Sequence, residues 1–129
     1  MKRGVNPETI VLNEIIARLK TDGYEYAERG HPGNFWRMAV GPVLKKRGAA
    51  KNPLKGFPDL MGVLKTGGGQ MFAIEVKRAD GGTVSPDQRA WLTHLNSMGV
   101  LCIVGRSADY VARIIATAEK RARGIVWQE

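Results

Sequence analysis

Residues 59–77, DLMGVLKTGGGQMFAIEVK, carry the clearest secondary-structure signal of the sequence. Two apolar runs, residues 59–65 and 71–77, are joined by the glycine-rich segment Thr66-Gly-Gly-Gly-Gln70. Apolar runs of this length around a short glycine-rich connection are typical of two antiparallel strands. The sequence therefore predicts a β-hairpin whose turn is centred near Gly68.

The polar side chains of this hairpin are predicted to share one face of the sheet. A turn at Gly68 sets Asp59 opposite Lys77 and Met61 opposite Glu75. Because side chains alternate along a strand, Glu75 and Lys77 point to the same face as Asp59, away from the apolar side chains between them. The two carboxylates are then one diagonal apart, a separation that a single metal ion can bridge.

Helices and further strands are predicted on both sides of the hairpin. A proline after a capping Asn or Ser marks two helix starts, and the uniformly apolar residues 100–104 indicate a buried parallel strand. In chain order, the predicted elements are a helix from Asn6-Pro7 to Asp22-Gly23, a strand over residues 35–40, a loop over residues 41–57, the hairpin, a helix from Ser85-Pro86 to Gly99, the strand over residues 100–104 and a helix after Ser107. This order predicts an α/β fold with a mixed sheet flanked by helices.

The composition fits one globular domain spanning residues 1–129. Hydrophobic residues make up 43% and charged residues 25% of the sequence, close to the average for folded proteins. A single cysteine, Cys102, leaves no partner for an internal disulfide and excludes a Cys-rich zinc site. The sequence has neither a membrane-spanning apolar run nor a signal-peptide pattern, so the expected location is the cytoplasm.

The net charge of +8 favours phosphate polymers as partners. Between Arg29 and Ala79 ten residues are basic, and only Asp59 and Glu75 are acidic. The candidate DNA-contacting residues in this region are Arg37, Lys45, Lys46, Arg47, Lys51 and Lys55. The alternative interpretation is a solvated loop without a partner.

Isolated carboxylates in a basic region indicate a cation site, since acids packed together repel unless a hard divalent metal holds them. Mg²⁺ fits oxygen ligands best, and Mn²⁺ accepts the same ligands. The first helix offers a third acid, because Glu8 lies within about 10° of the centre of the apolar stripe and Glu14 about 120° from it. Glu8 is therefore predicted to face inward, although a favourable charge at a helix N-terminus equally explains an acid there.

Two further polar residues are candidates for roles at this site. Lys77 can orient an attacking water or stabilise the charge that develops on a scissile phosphate. Gln88 lies one turn before Trp91 on its helix and either supports the site or only completes the helix cap with Ser85. This set describes phosphodiester hydrolysis. If the acids are only structural, the alternative is a non-catalytic basic nucleic-acid-binding module.

Several short segments of the sequence also match the pattern of a known family. Pro58-Asp59 is followed after fifteen residues by Glu75-Val76-Lys77. The longer matching segments are Gly56-Phe57-Pro58-Asp59-Leu60, Ala73-Ile74-Glu75-Val76-Lys77, Ser85-Pro86-Asp87-Gln88-Arg89-Ala90-Trp91 and Phe35-Trp36-Arg37. Together with the order of elements, these segments resemble the VRR-NUC (virus-type replication-repair nuclease) branch of the PD-(D/E)XK nucleases, in its stand-alone phage and bacterial form.

The resemblance implies a restriction-endonuclease-like core, α-β-β-β-α-β with a C-terminal helix, and a Mg²⁺-dependent DNA endonuclease. The site residues that it implies are Asp59, Glu75, the Val76 carbonyl and Glu8 for the metal, with Glu8 bound directly or through water, Lys77 for catalysis and Gln88 in support. Stand-alone members of this branch resemble structure-selective nucleases that act as homodimers on branched DNA such as four-way junctions. The expected partners are therefore branched DNA and a second copy of the chain, at the nucleoid of a bacterial or phage-infected cell.

Overall fold

The predicted hairpin supplies two neighbouring strands of a sheet that is covered by helices on both faces. The computed structural model describes residues 4–38, 53–66 and 68–126, with side chains to residue 121. Within these ranges the elements are α1 (Pro7–Thr21), β1 (Phe35–Arg37), β2 (Leu60–Val63), β3 (Met71–Val76), α2 (Pro86–Ser97), β4 (Leu101–Gly105) and α3 (Ala108–Val126). This order and the α/β class confirm the prediction from sequence and are consistent with a restriction-endonuclease-like fold.

The strands lie in the order β1-β2-β3-β4, and only the last pair is parallel. β4 is parallel to β3, as predicted, but it begins one residue later than predicted because the Val100 N–H donates to the Leu95 carbonyl at the end of α2. Full burial of this strand was expected and is found only at Ile103 and Gly105, since β4 forms an edge of the described sheet. None of the described helices is both long and apolar enough to cross a bilayer.

The register of the hairpin differs from the prediction by two residues. Met61 pairs with Ala73 rather than with Glu75. The cause is how the loop closes: the Leu64 N–H donates to the Gln70 carbonyl at 2.9 Å, so these two residues face each other at the end of the hairpin. A shift of two residues leaves every side chain on its predicted face of the sheet, so Asp59, Glu75 and Lys77 still share one face.

The two faces of the sheet pack against different helices. One face, with Phe72, Ile74 and Val76 of β3, packs against the buried sides of α1 and α3. The other face, which includes Met61 and Ala73, packs against Leu95 of α2. The alternation along β3 therefore sends its apolar side chains toward α1 and α3, as the sequence predicts, and leaves the α2 side for Glu75 and Lys77.

Gly62 on β2 lies at a position where the core leaves no room for a side chain. It pairs with Phe35 on one side and with Phe72 on the other, and both rings are fully buried. A Cβ atom at Gly62 would lie 2.3 Å from Cζ of Phe72 and 2.8 Å from Cβ of Phe35. The glycine therefore makes room for the two aromatic rings that anchor the sheet to its helices.

We expect Gly62→Ala to lower the free energy of unfolding by about 2 kcal/mol, since the methyl group forces Phe35 and Phe72 out of place. Urea unfolding followed by circular dichroism measures this. The control is Gly4→Ala, where no atom lies within 4 Å of the added carbon. Equal stabilities for the two variants would contradict this account of the core.

Candidate active site

Asp59 is fixed at the start of β2 against the end of β3. Its N–H donates to the Ile74 carbonyl at 3.0 Å, and its own carbonyl accepts from the Met38 N–H at 2.8 Å. Its carboxylate Oδ2 accepts from the Val76 N–H at 2.7 Å. The main chain on both sides therefore holds Asp59. It lies beside Glu75 rather than opposite Lys77, where the predicted register had set it.

Glu75 and Lys77 are the only buried charged residues in the part of the chain that the structure describes. Glu75 is 3% exposed and Lys77 is 6% exposed. The Lys77 Nζ lies 3.8 Å from Glu75 Oε2, which is an ion pair but is longer than a hydrogen bond. The other carboxylate oxygen, Glu75 Oε1, is buried without any hydrogen-bond partner. An oxygen of this kind is costly unless a proton or a cation satisfies it.

The surroundings raise the pKa of Glu75 to about 8. Burial is the largest cause, because removing the carboxylate from water disfavours its charged form. Repulsion from Asp59 and a side-chain hydrogen bond with Asp59 raise this pKa further, Lys77 lowers it, and Glu8 adds a final increase. One lysine therefore does not compensate the acids around Glu75, and the carboxylate holds a proton near neutral pH unless a further cation binds.

Glu8 lies on the site side of the molecule but is exposed. Its charge acts on the pKa of Glu75, so the first turn of α1 approaches the end of β3. The prediction that Glu8 faces inward is wrong, because its side chain is exposed. Glu8 lies one turn before Val11 and Leu12, the first buried residues of α1. Its N–H donates to the side chain of Asn6, the predicted N-cap.

The oxygen atoms at this site are of the kind that binds a hard divalent cation. Asp59 and Glu75 offer carboxylate oxygens, the Val76 main chain contacts Asp59, and Glu75 Oε1 has no protein partner. Oxygen ligands of this kind suit Mg²⁺ or Mn²⁺. Across residues 4–38, 53–66 and 68–126, however, no three His, Cys, Asp or Glu side chains converge into a metal-binding group. Glu8 therefore does not complete a three-carboxylate cluster in this conformation.

Gln88 forms the predicted capping box at the start of α2. Its Oε1 accepts from the Ser85 N–H at 2.9 Å, and its N–H donates to the Ser85 hydroxyl at 3.2 Å. These contacts assign the side-chain oxygen of Gln88 to the helix end. A supporting role at the acidic site stays a prediction.

Most of the predicted DNA-contacting residues lie outside the described part of the chain. These are Lys45, Lys46, Arg47 and Lys51. Arg37, at the end of β1, is exposed. Lys55 is also exposed, and its Nζ lies 3.4 Å from Asp87 Oδ2 at the start of α2. An exposed pair of this kind is weak and leaves Lys55 available for a phosphate.

Arg106 is a residue near the site that no sequence pattern indicated. It directly follows β4, and its guanidinium donates hydrogen bonds to three main-chain carbonyls in the loop after Lys77. The available signals were an arginine immediately after a parallel strand and the pair Gly81-Gly82 shortly after the lysine. Neither signal is specific, because the contact joins positions far apart in sequence.

The raised pKa of Glu75 predicts how metal-free protein responds to pH. The folded state keeps a proton that the unfolded chain, with an ordinary glutamate pKa near 4.5, has released. In EDTA we expect the free energy of unfolding to fall as pH rises from about 5 to 8, by at most about 1.4 kcal/mol per pH unit. The variant Glu75→Gln should lack this fall in the free energy of unfolding, because its side chain does not titrate. Urea titrations at several pH values measure the difference, and equal pH slopes for both proteins would contradict the assignment.

Comparison with known proteins gives an independent assignment. A family model described as the VRR-NUC domain, a PD-(D/E)XK-type nuclease domain, matches residues 16–109. Asp59, Glu75 and Lys77 lie inside the matched range, whereas Glu8 precedes it. No curated protein and no solved structure matches the chain. A nuclease domain implies DNA as substrate, and nucleases of this type generally use divalent metals. Because the match covers well over half of the chain and the α/β fold is consistent with it, the chain belongs to the VRR-NUC family of nucleases.

Proposed function

We propose that this chain is a Mg²⁺-dependent, structure-selective DNA endonuclease that cleaves branched DNA such as four-way junctions. The observation that supports it most is Glu75 Oε1, a buried carboxylate oxygen without a partner, beside Asp59 and Lys77 in a nuclease domain. Structural acids are usually satisfied by neighbouring donors. An unsatisfied acid next to a second carboxylate favours a bound cation over a structural role.

The metal would be held by oxygens from two strands and one helix. Asp59 and Glu75 would ligate it together with the Val76 carbonyl, and Glu8 would join directly or through water. When bound, a divalent ion of this kind lowers the pKa of a coordinated water and neutralises charge on a phosphate oxygen. Mn²⁺ would substitute for Mg²⁺, since it takes the same ligands.

The chain's own contribution to the reaction would come mainly from Lys77. Its ammonium group is removed from bulk water and lies next to Glu75, so its field on a nearby phosphate is weakly screened. In hydrolysis the water oxygen forms a bond to phosphorus and loses a proton to solvent, while the bond from phosphorus to the leaving sugar oxygen breaks and that oxygen takes a proton from solvent. Lys77 would orient that water or stabilise the charge that develops on the phosphate.

DNA would be held by cations around this site. Arg37 and Lys55 are exposed, and the basic residues 45–51 lie between them in sequence. The net charge of +8 supports a substrate with a dense phosphate backbone. The preference for branched DNA and a homodimeric assembly is inferred from the resemblance to stand-alone members of the family.

Substitutions at the site should remove cleavage while DNA binding persists. We expect Glu75→Gln and Lys77→Ala to slow cleavage by roughly 10²-fold or more, because the first removes a metal ligand and the second removes the cation beside the scissile phosphate. Cleavage is measured with labelled DNA and binding by electrophoretic mobility shift. Glu14→Gln, an exposed acid on α1, is the matched control and should cleave normally. Full activity of either site variant would overturn the assignment.

Substrate and metal preference should appear in one panel of reactions. Labelled single strand, duplex, flap and four-way junction are incubated with Mg²⁺, Mn²⁺ or EDTA. We expect cleavage of the four-way junction to be about tenfold faster than cleavage of the duplex, with no cleavage in EDTA. Faster cleavage of the linear duplex would contradict branch selectivity alone. Tight binding without cleavage in any metal would instead favour the non-catalytic DNA-binding module.

A further inference from the structure

The side chain of Arg106, which follows β4, binds the loop that follows Lys77. The Arg106 Nη1 donates to the Arg78 carbonyl at 3.1 Å and also to the Gly81 carbonyl. Its Nη2 donates to the Gly82 carbonyl at 2.7 Å. One guanidinium thus contacts three carbonyls of residues 78–82. A planar fork of several donors suits this task, and a lysine ammonium does not have that geometry.

This loop lies against the side chain of Lys77. A Cβ atom at Gly82 would lie 3.8 Å from Lys77 Cδ, so the Gly82 backbone lies close to the aliphatic stem of the lysine. Gly82 adopts a φ of 77°, which glycine reaches without strain. Lys77 is also held on its main chain, because its N–H donates at 3.0 Å to the carbonyl of Gly105, the residue before Arg106.

The ion pair alone does not determine where the Lys77 ammonium lies. Its distance to Glu75 Oε2, 3.8 Å, is beyond hydrogen-bonding range, and a lysine side chain has four rotatable bonds to order. Lys77 is only 6% exposed, so the residues around its stem, with Gly82 among its neighbours, limit where the stem can lie. Among the described residues no carboxylate forms an ion pair with Arg106, so its contacts in the structure are with the loop carbonyls.

We propose that Arg106 is a positioning residue for Lys77. By binding the carbonyls of residues 78, 81 and 82, it holds this loop over the lysine stem and keeps the ammonium beside Glu75. The role in cleavage rests on the proposed nuclease function. The effect on the exposure of Lys77 does not, and the two are tested separately.

Exposure of Lys77 is measured by acetylation with sulfosuccinimidyl acetate, followed by peptide mass spectrometry. In the wild type, Lys77 should react slowly compared with Lys55, whose side chain is 63% exposed. Arg106→Ala should speed acetylation of Lys77 by about tenfold, since the loop then opens locally. Arg113→Ala is the matched control, because Arg113 is an exposed arginine whose guanidinium pairs with Asp109 on its own helix, and it should leave Lys77 protected.

Cleavage kinetics supply the second measurement. Arg106→Ala should lower kcat by roughly 10²-fold with KM nearly unchanged, because a displaced catalytic group costs about that much. Millimolar guanidinium should restore part of the cleavage rate of Arg106→Ala. The variant Arg106→Lys should be as slow as Arg106→Ala, because a lysine lacks the planar set of donors. Circular dichroism shows which variants are folded, and Arg106→Gln, which keeps two donors on a shorter side chain, replaces any variant that is not.

Three results would overturn the proposal: Lys77 remains protected in the folded Arg106 variants, Lys77 becomes exposed while kcat is unchanged, or only KM changes. The last result would make Arg106 a DNA contact. If the wild type cleaves no DNA in any metal, the nuclease function fails, and the acetylation experiment still decides whether Arg106 holds the loop over Lys77.

Discussion

The burial of Glu75 is the constraint on which the rest of the site depends. Its carboxylate lies in the interior next to Asp59, with Lys77 as its ion-pair partner and with Oε1 unsatisfied. A buried charge in this state is expensive, and the cost is relieved either by a proton at the raised pKa or by a bound cation. The fold therefore keeps an acid in a place where a divalent metal is the natural partner, and the family assignment to nucleases agrees with that chemistry.

The sheet makes this arrangement possible by separating its two faces. The apolar side chains of β3 fill the interface with α1 and α3, anchored by the rings of Phe35 and Phe72 around Gly62. Since alternate residues point the other way, Glu75 is directed to the α2 side without loss of core packing. The end of β3 also contacts the start of β2 through Asp59 and the end of β4 through the Lys77 N–H, and the charge of Glu8 on α1 acts on Glu75.

Turn residues, helix caps and periodicity were sufficient to predict the helices and strands and which residues share a face of the sheet. They were not sufficient to predict which residues lie in contact. The hairpin, the capping box of Gln88 and the α/β order follow from turn residues, caps and periodicity. The pairing of Met61 was wrong by two residues because composition does not determine which residues close a glycine-rich loop, here Leu64 and Gln70. Helical angles placed Glu8 on the side of the acidic site but could not show that its side chain, in the first turn of α1, is exposed. Arg106 was missed since its contacts depend on how the end of β4 meets the loop after β3.

We propose that Glu75 and Asp59 form one divalent-metal site. Binding of Mn²⁺ at pH 8, followed by electron paramagnetic resonance of the free ion, tests this for the wild type, Glu75→Gln and the control Glu14→Gln. We expect saturable binding by the wild type and the control, and an affinity lower by about tenfold or more for Glu75→Gln. Equal Mn²⁺ affinity in all three proteins, or no binding by the wild type, would contradict it.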